Sequence, residues 1–142
     1  MELNFDKGDG LLPAVIQEFG TNKVLMLGFM NAAAVQKTLE TGYVTFFSRS
    51  RNKLWVKGES SGHLLKVREV RVDCDEDALV VVAEQLGPGT CHEGYHSCFY
   101  RRIEAGNLVI VEPRAFDPEK VYGNSSNSSS PAARPSGQAR QE

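Results

Sequence analysis

The sequence predicts an α+β domain, mostly antiparallel strands and hairpins with one or two short helices. Apolar-rich runs of strand length recur along the chain, separated by tight-turn compositions, which is how hairpins read in sequence. One segment carries both a helix N-cap and a terminating glycine. A third stretch alternates apolar and charged side chains, the pattern of a half-buried strand. Antiparallel strands with few helices define the α+β class.

Taken in order, residues 13–19 and 23–30 flank Gly20-Thr21-Asn22 and are expected to pair as a hairpin. Asn31 is a good N-cap for a helix over 32–40, and Gly42 is placed to end it. Residues 43–48 are β-branched and aromatic, and Leu54-Trp55-Val56 can pair with them across 49–53. Over 64–74, Leu65, Val67, Val70 and Val72 mix with Lys66, Arg68, Glu69 and Arg71. The alternation slips at Arg68-Glu69, which predicts a bulge. An apolar strand over 78–83 follows an acidic turn, and a last hairpin joins 97–103 to 108–111 through Glu104-Ala105-Gly106-Asn107. From Gly123 onward Ser, Asn and Pro dominate. Too few apolar side chains remain there to offset chain entropy, so the domain is expected over 1–122 and a disordered tail over 123–142.

A chain of 142 residues can bury one core without disulfide or metal support. Sixteen basic against eighteen acidic residues, a net charge of -2, argue against non-specific nucleic-acid binding as its main task. A local basic pocket for a phosphorylated small molecule is compatible with that balance. The N-terminal residues lack the basic and apolar segments of a secretory signal, and the longest apolar runs, 78–83 and 24–30, are far too short to span a bilayer. A cytoplasmic protein is expected, in which thiols stay reduced. Its three cysteines, an odd number, do not suggest a disulfide framework.

Those cysteines, Cys74, Cys91 and Cys98, fall within twenty-five residues. Three thiolates are one ligand short of a closed tetrahedral zinc site, and an open fourth position for water is the usual mark of catalytic zinc. Asp73-x-Asp75-x-Asp77 surrounds the first of them. In a regular strand these carboxylates share one face and Cys74 takes the other. Same-face neighbours stand roughly 6.6 Å apart at about 3.3 Å rise per residue. A Mg²⁺ ion with ligands at about 2.0–2.1 Å cannot take all three from a straight strand, so the chain must curl after Asp75 or waters must bridge. The alternative is a solvated acidic turn.

Cys91-His92-x5-Cys98 is unlike the Cys-x2-Cys knuckles of structural zinc fingers. Gly87, Gly89 and Gly94 around it suggest a loop whose backbone comes close to something. His92 reads either as the fourth ligand of a closed Cys₃His site or as a general acid/base beside an open one. Two inert buried cysteines are the plainer account. Trp55-Val56-Lys57-Gly58-Glu59-Ser60-Ser61-Gly62-His63 combines two glycines, two hydroxyls and a lysine, the composition of a phosphate-contacting loop or of a plain surface turn. Arg49, Arg51 and Lys53 lie just upstream, on a hairpin tip that could hold a second anion.

In order along the chain, Phe46-Phe47-Ser48-Arg49-Ser50-Arg51, Leu54 to Gly62, Asp73-Cys74-Asp75-Glu76-Asp77 and Cys91-His92-Glu93-Gly94-Tyr95-His96-Ser97-Cys98-Phe99 together resemble phosphoribosyl-AMP cyclohydrolase, over roughly residues 10 to 113. The resemblance implies the third step of L-histidine biosynthesis, the opening of the adenine ring of N1-(5-phosphoribosyl)-AMP by water at C6 with cleavage of the N1–C6 bond. It implies an intertwined homodimer with one Zn²⁺ and one Mg²⁺ per subunit. Cys74, Cys91 and Cys98 would bind zinc, Cys74 coming from the opposite subunit, and Asp73, Asp75 and Asp77 would bind magnesium. Arg49, Trp55, Lys57, Glu59, Ser60 and Ser61 are the expected substrate contacts, although Trp55 also reads as simple core. His92 is the expected catalytic proton carrier.

Two positions depart from the family pattern: His63 stands where Asn is frequent, and Glu93 where Thr is common. The fused pyrophosphatase domain of some relatives is not expected here. Two other readings compete with the hydrolase. A zinc-stabilised Cys₃His binding module without catalysis would unfold on losing its metal. A zinc deaminase of nucleotides would need the His-x-Glu and Pro-Cys-x-x-Cys pair, which this sequence lacks.

Overall fold

The computed structural model describes residues 2–122. In chain order they form β1 (Leu12–Glu18), β2 (Val24–Met30), α1 (Ala32–Thr41), β3 (Thr45–Ser48), β4 (Lys53–Val56), β5 (Leu65–Val72), β6 (Leu79–Gln85), β7 (Arg101–Glu104), β8 (Asn107–Ile110) and α2 (Pro118–Tyr122). A single 3-10 turn, Asp6–Gly8, precedes them. This is the expected α+β class. The expected tail over 123–142 lies outside the described residues.

β1 and β2 pair antiparallel through a turn in which Asn22 and Gly20 both take positive φ, 66° and 96°. That pairing is local, between strands adjacent in sequence. β1 also pairs in parallel with β6, and β6 pairs antiparallel with β5, so the main sheet runs β2-β1-β6-β5. The bulge expected in β5 is present: the register passes from Val67 opposite Ala83 to Glu69 opposite Val82, leaving Arg68 over. Arg68 turns its guanidinium over the Phe19 ring, 4.1 Å from the centroid, and pairs with Glu84 at 2.5 Å.

α1 begins where Asn31 Oδ1 accepts from the Ala34 N–H at 2.8 Å. It ends at Gly42, whose φ of 82° and N–H to Thr38 oxygen close the last turn. Such an N-cap is worth about 1 kcal/mol. Ala34, Val35 and Thr38 form its buried face. The Thr38 hydroxyl is satisfied there, because it accepts from Thr45 N–H at 3.0 Å and donates to Thr45 oxygen at 3.2 Å. That exchange docks α1 onto β3. β3 pairs with β4 as a separate two-stranded ribbon.

The core lies between these layers. Leu12, Ala14 and Ile16 of β1, Leu25, Met26 and Met30 of β2, and Leu79, Val81 and Ala83 of β6 close around Phe46. Phe46 fits because Gly28 faces it: a Cβ at position 28 would stand 2.5 Å from the ring. Gly28, an interruption in an apolar run by sequence, is the hollow that receives the largest fully buried side chain.

Two expected strands are shorter than the sequence suggests. Tyr43 and Val44 precede β3, and there the chain bridges to the main sheet, with Tyr43 opposite Lys66 and Val44 N–H donating to Leu65 oxygen at 3.0 Å. Residues 97–100 do not join β7. Cys98 N–H donates to Leu25 oxygen at 2.8 Å and the Ser97 hydroxyl to Val24 oxygen at 2.8 Å, so this stretch is tied across the start of β2 and strand pairing begins only at Arg101. β7 and β8 then turn through Ala105 and Gly106, both at positive φ, as a two-residue hairpin loop requires. Among the described residues no helix is long and apolar enough to cross a membrane.

Candidate active site and metal centre

The segment joining β6 to β7 folds back on itself. Thr90 N–H donates to His96 oxygen and Cys91 N–H to Tyr95 oxygen, each at 3.1 Å, and Gly94 N–H returns to Cys91 oxygen at 3.0 Å. The glycines around it do allow close approach, and the approaching group is the chain itself. A Cβ on Gly87 would meet the His63 ring at 2.5 Å, one on Gly89 the Tyr95 oxygen at 2.6 Å, and one on Gly94 the Phe116 oxygen at 2.5 Å. The Tyr95 and Tyr100 rings stack 3.6 Å apart beneath it.

Cys91 and Cys98 are both buried on this loop, and neither is in a disulfide. The Cys98 thiol beside Cys91 outweighs the opposing effect of burial. With the Glu93 N–H donating to Cys91 Sγ at 3.4 Å, it lowers the Cys91 thiol from 9.0 to about 7. A thiol so poised reaches its metal-binding form near neutrality.

Residues 57–63 face this pair. Gly58 takes φ 87°, and a Cβ there would stand 2.3 Å from the His63 oxygen, so the turn closes only with glycine. Glu59 accepts from Val56 N–H at 3.1 Å and Ser61 Oγ from His63 N–H at 3.2 Å, which gives both residues a part in building the turn. Lys57 is carried inward. Burial pushes its ammonium pKa down, while the nearby Cys98 and Cys91 sulfurs oppose that shift.

Between the two loops lies a cavity of about 210 Å³, lined by polar side chains and by apolar surface. It brings together the expected Trp55, Lys57, Glu59, Ser60, Ser61 and His92 with Cys98. Trp55 both lines it and leans on Phe46 at a ring separation of 5.2 Å, so it packs against the core and still presents a face to the cavity. Arg49 is not on the wall. Its guanidinium stands 5.3 Å over the Phe29 ring, and Arg51 from the same hairpin tip reaches the cavity. His92 Nε2 lies 3.5 Å from Glu93 Oε2. Sequence reasoning did not select Thr90 and Tyr122 as wall residues, and took His63 only as the end of the 55–63 loop and a departure from the family pattern. Among the described residues the buried His63 Nδ1 has no hydrogen-bond partner, and its ring stands edge-on to Phe116 at 4.9 Å. No local pattern marks Tyr122, which arrives from α2.

The acidic segment curls, one of the two arrangements by which its spacing could serve a single ion. Asp73 N–H donates to Ala78 oxygen at 3.1 Å, Asp77 N–H to Asp73 Oδ1 at 3.0 Å, and Glu76 turns left-handed at φ 62°. Ligand oxygens of Asp73, Asp75 and Asp77 thereby come within 4.8 Å of one another. The Lys7 ammonium sits against them, 2.8 Å from Asp75 Oδ2 and 3.0 Å from Asp77 Oδ2. Mainly through the Lys7 hydrogen bond, the Asp75 carboxyl is held down at about 2.

Among the described residues this trio is the one group of three such ligands. Cys74, exposed beside it, does not meet Cys91 and Cys98 within one chain. Neither does His92 form a group of that kind with the two loop cysteines, which gives no support to a closed Cys₃His site.

Paired buried thiols, a half-buried lysine and a histidine around a cavity on an α+β frame are the makings of an enzyme site for a small polar molecule. The family model for phosphoribosyl-AMP cyclohydrolase matches residues 26–100. A phosphoribosyl-AMP cyclohydrolase of Solibacter usitatus is 56% identical over 126 residues, covering 89% of this chain and 100% of its own. One from Desulforapulum autotrophicum is 54% identical over 123 residues, covering 86% and 98%. The chain belongs to the phosphoribosyl-AMP cyclohydrolase family.

Proposed function

We propose that this protein opens the adenine ring of N1-(5-phosphoribosyl)-AMP by hydrolysis of the N1–C6 bond, in histidine biosynthesis, with zinc and magnesium. The observation that carries the reading is the cavity where Lys57, His92 and Cys98 converge. In the reaction, water oxygen bonds to C6, the C6–N1 bond breaks, and N1 takes up a proton.

The chemistry of the donors fits zinc: two adjacent buried thiols, one already drawn down to about 7, are soft ligands of the kind zinc takes. Cys91 and Cys98 would hold it, with Cys74 of the partner subunit as third ligand. When bound, zinc supplies acidity to water, lowering its pKa from 15.7 to about 7. Asp73, Asp75 and Asp77 fit magnesium, since their oxygens lie within 4.8 Å of one another and two of them, on Asp75 and Asp77, already hold a cation, the Lys7 ammonium.

His92 carries the proton between water and N1. Lys57, Ser60 and Ser61 offer a cation and hydroxyl donors to phosphate oxygens, Arg51 stands nearer than Arg49 for the same task, and Trp55 flanks the base. Three cysteines outside any disulfide are compatible with a reducing compartment, the cytoplasm.

A homodimer is supported from two sides. The cavity of about 210 Å³ in one chain is smaller than the roughly 300–1,000 Å³ usual for small-molecule sites, as expected if a second copy adds a wall. The β7–β8 hairpin also carries an apolar face, Ile103, Leu108 and Ile110, which are 78%, 62% and 58% exposed. A two-stranded hairpin is marginal by itself and such a patch calls for a covering surface.

The reading is tested by giving phosphoribosyl-AMP to the purified protein with and without a zinc chelator and following ring opening by ultraviolet absorbance. Conversion that the chelator abolishes is expected. No conversion would overturn the activity, and conversion indifferent to the chelator would overturn its zinc dependence. His92→Ala should lower turnover by about 10²–10⁴-fold, the usual worth of a positioned acid/base, with zinc content unchanged. Near-normal turnover in that variant would remove His92 from the mechanism.

A further inference from the structure

We propose that Lys7 is the resident counter-cation of the Asp73/Asp75/Asp77 cluster, and that a divalent ion enters by displacing it, so that Lys7 sets the metal affinity of the site. This rests on the reading of the three carboxylates as the magnesium site.

The geometry is direct. The 3-10 turn Asp6–Gly8 presents Lys7 to the acidic curl, and Asn4 N–H donates to Glu76 oxygen at 2.7 Å, fixing the N-terminal segment beside it. Lys7 Nζ then takes Asp75 Oδ2 at 2.8 Å and Asp77 Oδ2 at 3.0 Å. Asp73 is differently engaged, because its Oδ1 accepts the Asp77 N–H at 3.0 Å and holds the turn together. Asp75 and Asp77 are therefore the two members of the cluster that Lys7 occupies.

Three carboxylates in one turn repel one another, and one ammonium offsets part of that repulsion. Magnesium usually binds through one or two carboxylates and keeps several waters. It competes for Asp75 and Asp77 with a cation tethered a few ångströms away. The two Lys7 pairs are largely exposed, 55% for the lysine side chain against 51% and 24%. Exposed pairs are individually weak, so the lysine should lower divalent affinity by a factor of roughly 3–10 at low salt, and by less at high salt. The lysine thereby also links metal occupancy to the N-terminal segment: a bound divalent ion frees the Lys7 ammonium.

The test measures Mn²⁺ binding, by titration calorimetry and by manganese paramagnetic resonance, to the full-length protein, Lys7→Met, Lys7→Arg and Asp75→Asn/Asp77→Asn. Circular dichroism checks that each is folded. Expected are tighter binding by roughly 3–10-fold for Lys7→Met, near-unchanged binding for Lys7→Arg, and loss of binding in the double Asn variant. Amine labelling read by mass spectrometry should show Lys7 becoming more reactive when Mn²⁺ is added. If the double Asn variant binds normally, the carboxylates are not the site and both readings fail. If it loses binding while Lys7→Met binds equally or more weakly, the site stands and the competition is refuted.

Discussion

Replacing Cys91 or Cys98 with serine is expected to yield protein that has lost its zinc and at least about 10³-fold of its turnover, since activation of water by the metal supplies several kcal/mol at the transition state. Both thiols are buried and part of a backbone-closed loop, so metal analysis must accompany the rate to separate loss of ligand from loss of fold. Cys74→Ser should have the same effect for a different reason. Cys74 is exposed and forms no three-ligand group with the other two cysteines within its own chain, so on the proposed shared site its loss would spare the core and act through a neighbouring subunit. Mixing makes the distinction quantitative. If each site takes Cys74 from one subunit and the loop cysteines from the other, Cys74→Ser and Cys91→Ser subunits refolded together in equal amounts form half their dimers as heterodimers. Each heterodimer holds one intact site of two, so activity returns to about one quarter of the wild-type value. No recovery in mixed samples shown to have exchanged subunits would refute the shared site.

Phe46→Ala is expected to reduce unfolding stability by about 3–5 kcal/mol, as large aromatic truncations in a core do, and the Tm by roughly 10–20 °C. Phe46 is fully buried, nested against Gly28 and in contact with Trp55 at 5.2 Å. Neither neighbour can fill the gap: Gly28 has no side chain, and Trp55 is held where it lines the cavity. Urea unfolding of the variant measures the loss, and a change under about 1 kcal/mol would show that the core collapses around the missing ring. Trp55→Ala should show the opposite balance, with a smaller loss of stability and a raised KM, because half of its surroundings are the cavity.

Most of the fold was legible along the chain because its signals are local. Asn31 and Gly42 marked the ends of α1, the slip at Arg68-Glu69 marked the bulge, and Ala105-Gly106 marked the last turn, each through hydrogen bonds or torsions within a few residues. The parallel pairing of β1 with β6 had no such signal, because the partners are more than sixty residues apart in sequence and only burial on both sides joins them. Residues 97–100 misled for a related reason. Their composition suits a strand, but the backbone of β2, seventy residues earlier, claims their donors.

The site divides in the same way. Spacing was enough to single out Cys91, Cys98 and His92 on one loop, Lys57 and the hydroxyls on another, and a curl as one way for three alternating carboxylates to serve one ion. It could not show that Arg51 rather than Arg49 reaches the cavity, that Thr90, His63 and Tyr122 complete the wall, or that Lys7 lies on the acidic curl. Residue types and their separations thus determine which chemistry this chain can perform and where its turns must fall, because ligand preference and backbone torsion are properties of short segments. Which loops face one another, which cation sits on which carboxylate, and that one chain leaves Cys74 apart from the other two thiols were decided only by tertiary packing, which depends on burial shared among segments distant in sequence.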